Sequence, residues 1–403
     1  MLYKDNFFKN FSNKSKLFRY SLKKTKKAFK SFHDDLNNHR IPLLECYEKD
    51  YKFNFSSSII KKFSKYQNII IIGMGGSILG IKSIYSFFKS KVKKNLFFFD
   101  NLDENLHIQF RQIKNLKNSC FIIISKSGNT LETIANFSII FSKSLIKNKL
   151  IFITESKDSV LTNLANKFNA EIIEHKDFIA GRYSVLSEVG MFPTALMGID
   201  INKFKNLRKL IKNKNFVSSL IQNVASIYTL NIQGVKSSVI FNYDSSLNDL
   251  SFWYQQLVAE SLGKKGKGIT PILSFGPKDH HSVLQLYLDG QKDKFFTFMN
   301  LSKKKNKYKT SKNFFSSDID FLNNKNLDLL IKAQFNAVKN IINVKKIPFR
   351  QIIIGKRNEE SLGMIFTFFV LETILLARLI NVNPFDQPAI EEIKLETKKI
   401  LLR

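Results

Sequence analysis

The chain has 403 residues, 44% of them apolar and 24% charged, a balance that excludes a disordered tail, a collagen-like repeat or a disulfide-stapled mini-protein. Basic residues number 64 against 33 acidic, a net charge of +31, and only nine of the 64 are arginine. The lysines are scattered, with no cluster longer than 23–27 or 303–307, which reads as a lysine bias over solvated faces and not as a nucleic-acid surface.

Residues 1–33 are basic but hold no continuous apolar core before a small-residue cleavage site, so they do not read as a signal peptide. The spacing of Phe7, Phe8, Phe11, Leu17, Phe18, Leu22 and Phe29 predicts an amphipathic helical arm within 1–45. Cys46 and Cys120 each lie in an apolar stretch and form no metal or disulfide pattern, which suggests a reducing compartment and a cytoplasmic location.

From residue 68 apolar runs alternate with helical stretches. Strands are expected at 68–73, 95–100, 120–125, 149–154 and 170–175, and helices at 77–90 and 129–146. A second series has strands at 236–244, 294–301 and 349–355, and helices at 247–262, 327–343 and 358–380. Continuous apolar runs separated by helices indicate parallel sheets covered on both faces. The pattern gives two consecutive α/β units, 46–200 and 201–382, followed by a Pro-bounded turn and a charged helix within 383–403. The apolar stretch 362–382 contains Glu372 and Arg378, which argues against a membrane span.

Six segments carry chemistry. "IIIIGMGGSILG" (69–80) is a strand, a glycine turn and a helix start, where Gly73, Gly75 and Gly76 admit a ligand close to the backbone and Ser77 stands at the helix end. The dinucleotide spacing fails, because Ile78 stands where the last glycine is required, and the lysine of a nucleotide P-loop is absent. In "SKSGNTLET" (125–133) the hydroxyls of Ser125, Ser127 and Thr130 sit beside the N–H groups of a helix start, with Lys126 among them. One helix cap needs one hydroxyl, so three in six residues suggest a cradle for one phosphate.

Arg182 lies in the polar loop "AGRYSVLSEVG" (180–190), and a lone arginine is usually a surface residue. Glu260 lies in "QLVAESLGKKGKG" (256–268), where a carboxylate in apolar company serves as a general base and one on an open helix face is merely solvated. His280 and His281 in "GPKDHHSVLQL" (276–286) point apart, so a shared metal is not expected. In "NPFDQPAIEEIK" (383–394) two helical turns separate Gln387 from Lys394, which lets both face one site.

Taken in this order, the six segments resemble the glucose-6-phosphate isomerase (phosphoglucose isomerase) family in its short bacterial form. The resemblance implies two sugar-isomerase (SIS) domains, each a parallel sheet flanked by helices, and a homodimer with sites at the interface. By position it implies that Ser125, Lys126, Ser127 and Thr130, with Gly76 and Ser77, bind the substrate phosphate. Glu260 matches the family's base, and Arg182 the residue that steadies the developing negative charge. His281, matched through the following Ser282, is contributed by the partner subunit and with Lys394 opens the sugar ring; Gln387 belongs to the last motif. The implied reaction is metal-free and cofactor-free aldose–ketose isomerisation of a six-carbon sugar phosphate, without nucleic acid or membrane as partner.

Another SIS-domain sugar-phosphate isomerase and a non-catalytic phosphosugar sensor are the competing readings. The chain departs from the family pattern at His280, where glutamine is usual, and at Ala180, Ala389 and Ile393, which replace glycines.

Overall fold

The structure, a computed structural model, describes residues 8–141, 149–302 and 307–403. Phe7, the expected helix end past 141 and most of the lysine cluster 303–307 lie outside the described residues.

The first sheet holds β1 (Asn68–Gly73), β2 (Asn95–Phe99), β3 (Ser119–Ile124), β4 (Leu150–Thr154) and β5 (Glu171–Glu174), all parallel, in the order β2-β1-β3-β4-β5. The second holds β6 (Ser237–Asn242), β7 (Thr270–Phe275), β8 (Lys294–Leu301) and β9 (Phe349–Ile354), also parallel, in the order β7-β6-β8-β9. The α/β class with two helix-flanked parallel sheets follows the sequence pattern. Thr270–Phe275 is an additional strand that the pattern did not mark. It is an edge strand with Pro271 inside it, and proline is tolerated there because an edge residue need not donate to a neighbour.

Continuous apolar runs are required because every central strand is buried on both faces. Ile69 and Ile71 of β1 point into one core and Ile70 and Ile72 into another, the alternation that a strand imposes. The first core is shared: Ile122 and Ile124 of the first sheet join Ile240, Phe295 and Ile352 of the second in one buried cluster. Helices Gly76–Phe88, Asn248–Leu262 and Glu359–Ile380 fill the layer between the sheets. The outer faces carry separate cores around Phe121 and Phe152, and around Phe241 and Phe298.

Glu359–Ile380 is long and apolar enough to cross a membrane, yet it is a core helix here. Its Glu372 is tied to Arg350 of β9. The N-terminal arm forms the helix Lys16–Asn37, capped by Ser15, which accepts from Phe18 N at 3.1 Å. It does not stand free, since Phe32 and Leu36 are buried against the helices Lys214–Ile232 and Glu359–Ile380.

Each sheet reverses its winding once. From β1 the chain moves to β2 on one side and returns to β3 on the other, so the crevice between the ends of β1 and β3 is a topological switch point. Ligands of open α/β sheets bind at such crevices. Gly73 pairs with Ile124, which sets the loop 74–76 beside the loop 125–130. A second switch point lies between β6 and β8.

Candidate active site

Glycine is required where the β1 loop meets the rest of the site. Gly75 has φ +52°, and a Cβ there would come within 2.8 Å of Gln256 Nε2. A Cβ on Gly76 would come within 2.2 Å of the Gly181 carbonyl carbon. The loop therefore lies directly on the segment carrying Arg182 and on the helix carrying Glu260.

Arg182 is 1% exposed and is the hub of the site. Its Nη1 donates to Glu260 Oε2 at 3.1 Å and to Gln387 Oε1 at 2.9 Å. Its Nε donates to Ser261 Oγ at 2.9 Å, and its Nη2 to the carbonyls of Pro384 at 2.5 Å and Asp386 at 2.9 Å. Tyr183 OH shares Ser261 Oγ at 2.8 Å and donates to Pro384 O at 3.1 Å. The guanidinium is thus fixed by its whole fork while only one partner is a carboxylate.

Glu260 lies near the end of the helix Asn248–Leu262, 28% exposed. Its surroundings differ from the apolar company suggested by the neighbouring Leu257, Val258 and Leu262, which turn into the core. Gln256, one helical turn earlier, donates to Glu260 Oε1 at 2.8 Å, so the two carboxylate oxygens are held from opposite sides.

The phosphate-cradle candidates gather at the first switch point. Ser125 Oγ and Thr130 Oγ1 are 2.7 Å apart, and Ser127 Oγ accepts from Asn129 N at 3.2 Å. Gly128, at φ +69°, packs against Ser159, where a Cβ would meet Oγ at 2.1 Å. Ser77 is buried in the first turn of the helix Gly76–Phe88. Lys126 turns toward Asp177 O, at 2.5 Å, and Glu155, at 3.7 Å. Partial burial holds its pKa below the usual lysine value, with Glu155 opposing.

The adjacent histidines separate as their spacing requires. Tyr243 OH lies 2.6 Å from His280 Nε2, and Phe241 packs edge-on to the ring. Burial lowers the pKa of His280, so it is the packed member of the pair. His281 is exposed at the end of the short turn Lys278–His281. Asp279 shapes that turn by accepting from Phe275 N at 2.7 Å and Ser282 Oγ at 3.2 Å.

Gln387 stands at the N-cap position of the terminal helix Pro388–Leu401 without capping it through its side chain, which reaches Arg182 despite Ala389 in the following turn. Lys394 does not join it within the chain. Its Nζ pairs with Glu391 at 2.6 Å, on a helix none of whose residues is buried. Ile390, Ile393, Leu395 and Ile400 on that helix are all exposed.

Arg182, Glu260 and Gln387 are therefore brought into direct contact, the hydroxyl cradle lies at the adjoining crevice, and His281 and Lys394 face solvent. Sequence reasoning missed Gln256, Tyr183, Ser261 and Lys264. Of these only Gln256 carried a signal, its four-residue spacing from Glu260. A separate cavity of about 560 Å³ opens at the ends of β6, β8 and β9, lined by Tyr243, Asn300 and Lys332 among others, and holds none of these site residues. Among the described residues no three His, Cys, Asp or Glu side chains converge as metal ligands.

The family model of phosphoglucose isomerase matches residues 52–402. A glucose-6-phosphate isomerase of Methanocaldococcus jannaschii is 35% identical over 347 residues, covering 83% of this chain and 84% of its own. That of Campylobacter jejuni is 30% identical over 348 residues, covering 83% and 85%. Among solved structures, a hypothetical protein from Thermus thermophilus superposes with TM-score 0.80 at 22% identity over 95% of both chains. A Chlamydia trachomatis glucose-6-phosphate isomerase gives 0.71 at 18% identity, over 86% of this chain and 72% of that one.

Proposed function

The chain belongs to the phosphoglucose isomerase family, and we propose from that premise how its residues interconvert glucose 6-phosphate and fructose 6-phosphate. The observation that carries the reading is the Glu260 carboxylate, partly exposed and held by Gln256 and Arg182, beside the glycine loop and the hydroxyl cradle.

The substrate phosphate binds at the first switch point, on Ser125, Lys126, Ser127 and Thr130 with Gly76 and Ser77. Binding at that remote end positions the reacting carbons and supplies energy that the chemical step uses. The closed sugar ring opens first. One group protonates the ring oxygen and another takes the proton of the first hydroxyl, the roles assigned to His281 and Lys394. Glu260 then removes the proton from the second carbon, leaving an enediolate, and returns it to the first carbon while the second hydroxyl gives up its proton and the first oxygen gains one. Arg182, always charged and already in place, stabilises the negative oxygen without reorganising. Gln387 accepts from the same guanidinium nitrogen as Glu260, Nη1, and steadies it there.

A homodimer supplies what a single chain leaves open. His281 is exposed in its own chain, and the helix carrying Lys394 has exposed apolar side chains and no buried residue, features suited to a site completed across an interface. The reduced, buried thiols of Cys46 and Cys120 suit a cytoplasmic enzyme.

The test is conversion of fructose 6-phosphate to glucose 6-phosphate, followed by coupled NADP reduction, for the wild type and Glu260→Gln. Turnover is expected to fall at least ~10²-fold with substrate affinity kept, as for loss of a general base. Near-normal turnover in the variant would remove Glu260 from this role, and an inactive wild-type dimer would remove the function itself.

A further inference from the structure

One segment of the sequence, "GKKGKG" at 263–268, has no part in the reaction described above, and it clamps the turn that presents Gln387. The helix Asn248–Leu262 ends just after Glu260. Gly263 bends the chain there, since a Cβ would meet Ala259 O at 2.7 Å. Lys264, four residues after Glu260, is carried back over the turn 381–387.

Its ammonium donates to Asn383 O and pairs with Asp386 Oδ1 at 2.8 Å. Lys264 is only 10% exposed although Asp386 is 50% exposed, so the lysine is drawn down onto the turn and is not a loose surface pair. Within the turn, Asp386 Oδ2 accepts from Asn383 Nδ2 at 3.0 Å, and Asn383 Oδ1 accepts from Phe385 N at 3.0 Å. Lys267 donates to Ile380 O at 2.9 Å, at the end of the preceding helix. From the other side Arg182 holds the carbonyls of Pro384 and Asp386. The terminal helix buries no residue of its own, so the turn is what sets its departure.

We propose that Lys264 is a positioning residue for the isomerisation: by bridging Asn383 and Asp386 it keeps Gln387 on Arg182 and fixes the direction in which the helix bearing Lys394 leaves. This rests on the function proposed above. Without the bridge the turn relaxes on one side, Gln387 leaves the guanidinium, and the stabilisation of the enediolate weakens. The phosphate cradle belongs to the first sheet and does not touch the turn, so binding is spared.

The experiment compares kcat and KM for fructose 6-phosphate in the full-length wild type and in Lys264→Met, Lys264→Arg, Asp386→Asn and Lys265→Asn. Lys264→Met is expected to lose about 10-fold or more in kcat with KM within about twofold, the pattern of a geometric defect in the chemical step. Lys264→Arg restores most of the loss. Asp386→Asn loses less, and combining it with Lys264→Met adds little, because both remove one interaction. Lys265→Asn removes an equal charge from the exposed neighbouring position and leaves kcat unchanged.

A kcat within about twofold of wild type in Lys264→Met would overturn the proposal, as would an equal loss in Lys265→Asn, which would reveal a general field effect. Should Lys264→Met fail to fold, Asp386→Asn breaks the same bridge from its exposed end, and full kcat there overturns it. An inactive wild type would instead defeat the functional reading on which the proposal stands.

Discussion

Two arginines of this molecule are almost fully buried, and they are satisfied in opposite ways. Arg350 of β9 faces Glu372 through two parallel contacts, Nη2 to Oε1 at 2.8 Å and Nη1 to Oε2. Thr297 and Asn223 also accept from it, at 2.9 and 3.2 Å, and Glu372 is itself buried. Arg182 has one carboxylate partner, met by a single nitrogen, and four neutral acceptors. The first charge is closed off by its counter-ion. The second is geometrically locked but meets its counter-ion through one nitrogen only, and that carboxylate is partly exposed. Burial alone does not distinguish structure from chemistry here; the placement of the counter-charge does.

The comparison breaks most visibly at the closed pair. Glu372→Ala strands a buried guanidinium and is expected to cost ~3–5 kcal/mol in urea unfolding, with turnover per folded molecule unchanged. Replacing both partners, Arg350→Met with Glu372→Leu, should recover much of that loss, because the desolvation of both charges disappears together. A single variant as stable as wild type would mean that Arg350 finds another counter-charge.

At the open site the readout reverses. Arg182→Lys keeps the charge but cannot reproduce the fork that reaches five acceptors, and kcat should fall ~10²–10³-fold, the usual loss for a preorganised donor to a developing oxyanion. Steady-state kinetics on fructose 6-phosphate decide it. A lysine variant of near-normal kcat would show that charge at this place suffices without geometry.

A third buried base extends the comparison to a group with no locked counter-ion. His175 follows β5, its Nδ1 lies 3.1 Å from Lys176 O, and its Nε2 is buried without a partner. Burial drives its pKa down to about 4, so it folds neutral. The unfolded chain binds its proton near pH 6.5, well before the native state does. Stability from this residue is therefore present above about pH 6.5 and is lost as pH falls toward 4, by up to ~3 kcal/mol. Urea midpoints measured between those pH values should fall less steeply for His175→Gln. Parallel curves for the two proteins would contradict the assignment.

These contrasts bear on how much the sequence disclosed. The central strands were legible because burial on both faces forces continuous apolar runs such as "NIIIIG" (68–73). β7 was not, since Pro271 and a half-open edge leave no such run. Glu260, Arg182 and Gln387 stood in short motifs, yet their mutual contact joins positions 78 and 205 residues apart, which no local pattern encodes. Lys264 was hidden for a related reason. In a chain so rich in lysine, one that bridges a turn looks like any other until its acceptors are in place. The terminal motif was legible as residue types only: Gln387 reaches Arg182, whereas Lys394 stays on an exposed helix.

The smallest expected effect belongs to that helix and marks the far end of the comparison. Lys394 and Glu391 form the same kind of ion pair as Arg350 and Glu372, at 2.6 Å, but with both side chains more than half exposed. Water and salt screen such a pair, and two long side chains must be ordered to hold it, so Glu391→Gln should change stability by no more than ~0.5 kcal/mol. A larger loss, seen in thermal unfolding at several protein concentrations, would mean that the helix is not solvated in solution. It would then lie against a second copy of the chain, with Glu391 in contact there. The loss would also shrink with dilution, because the interface adds to stability only while the two copies are associated.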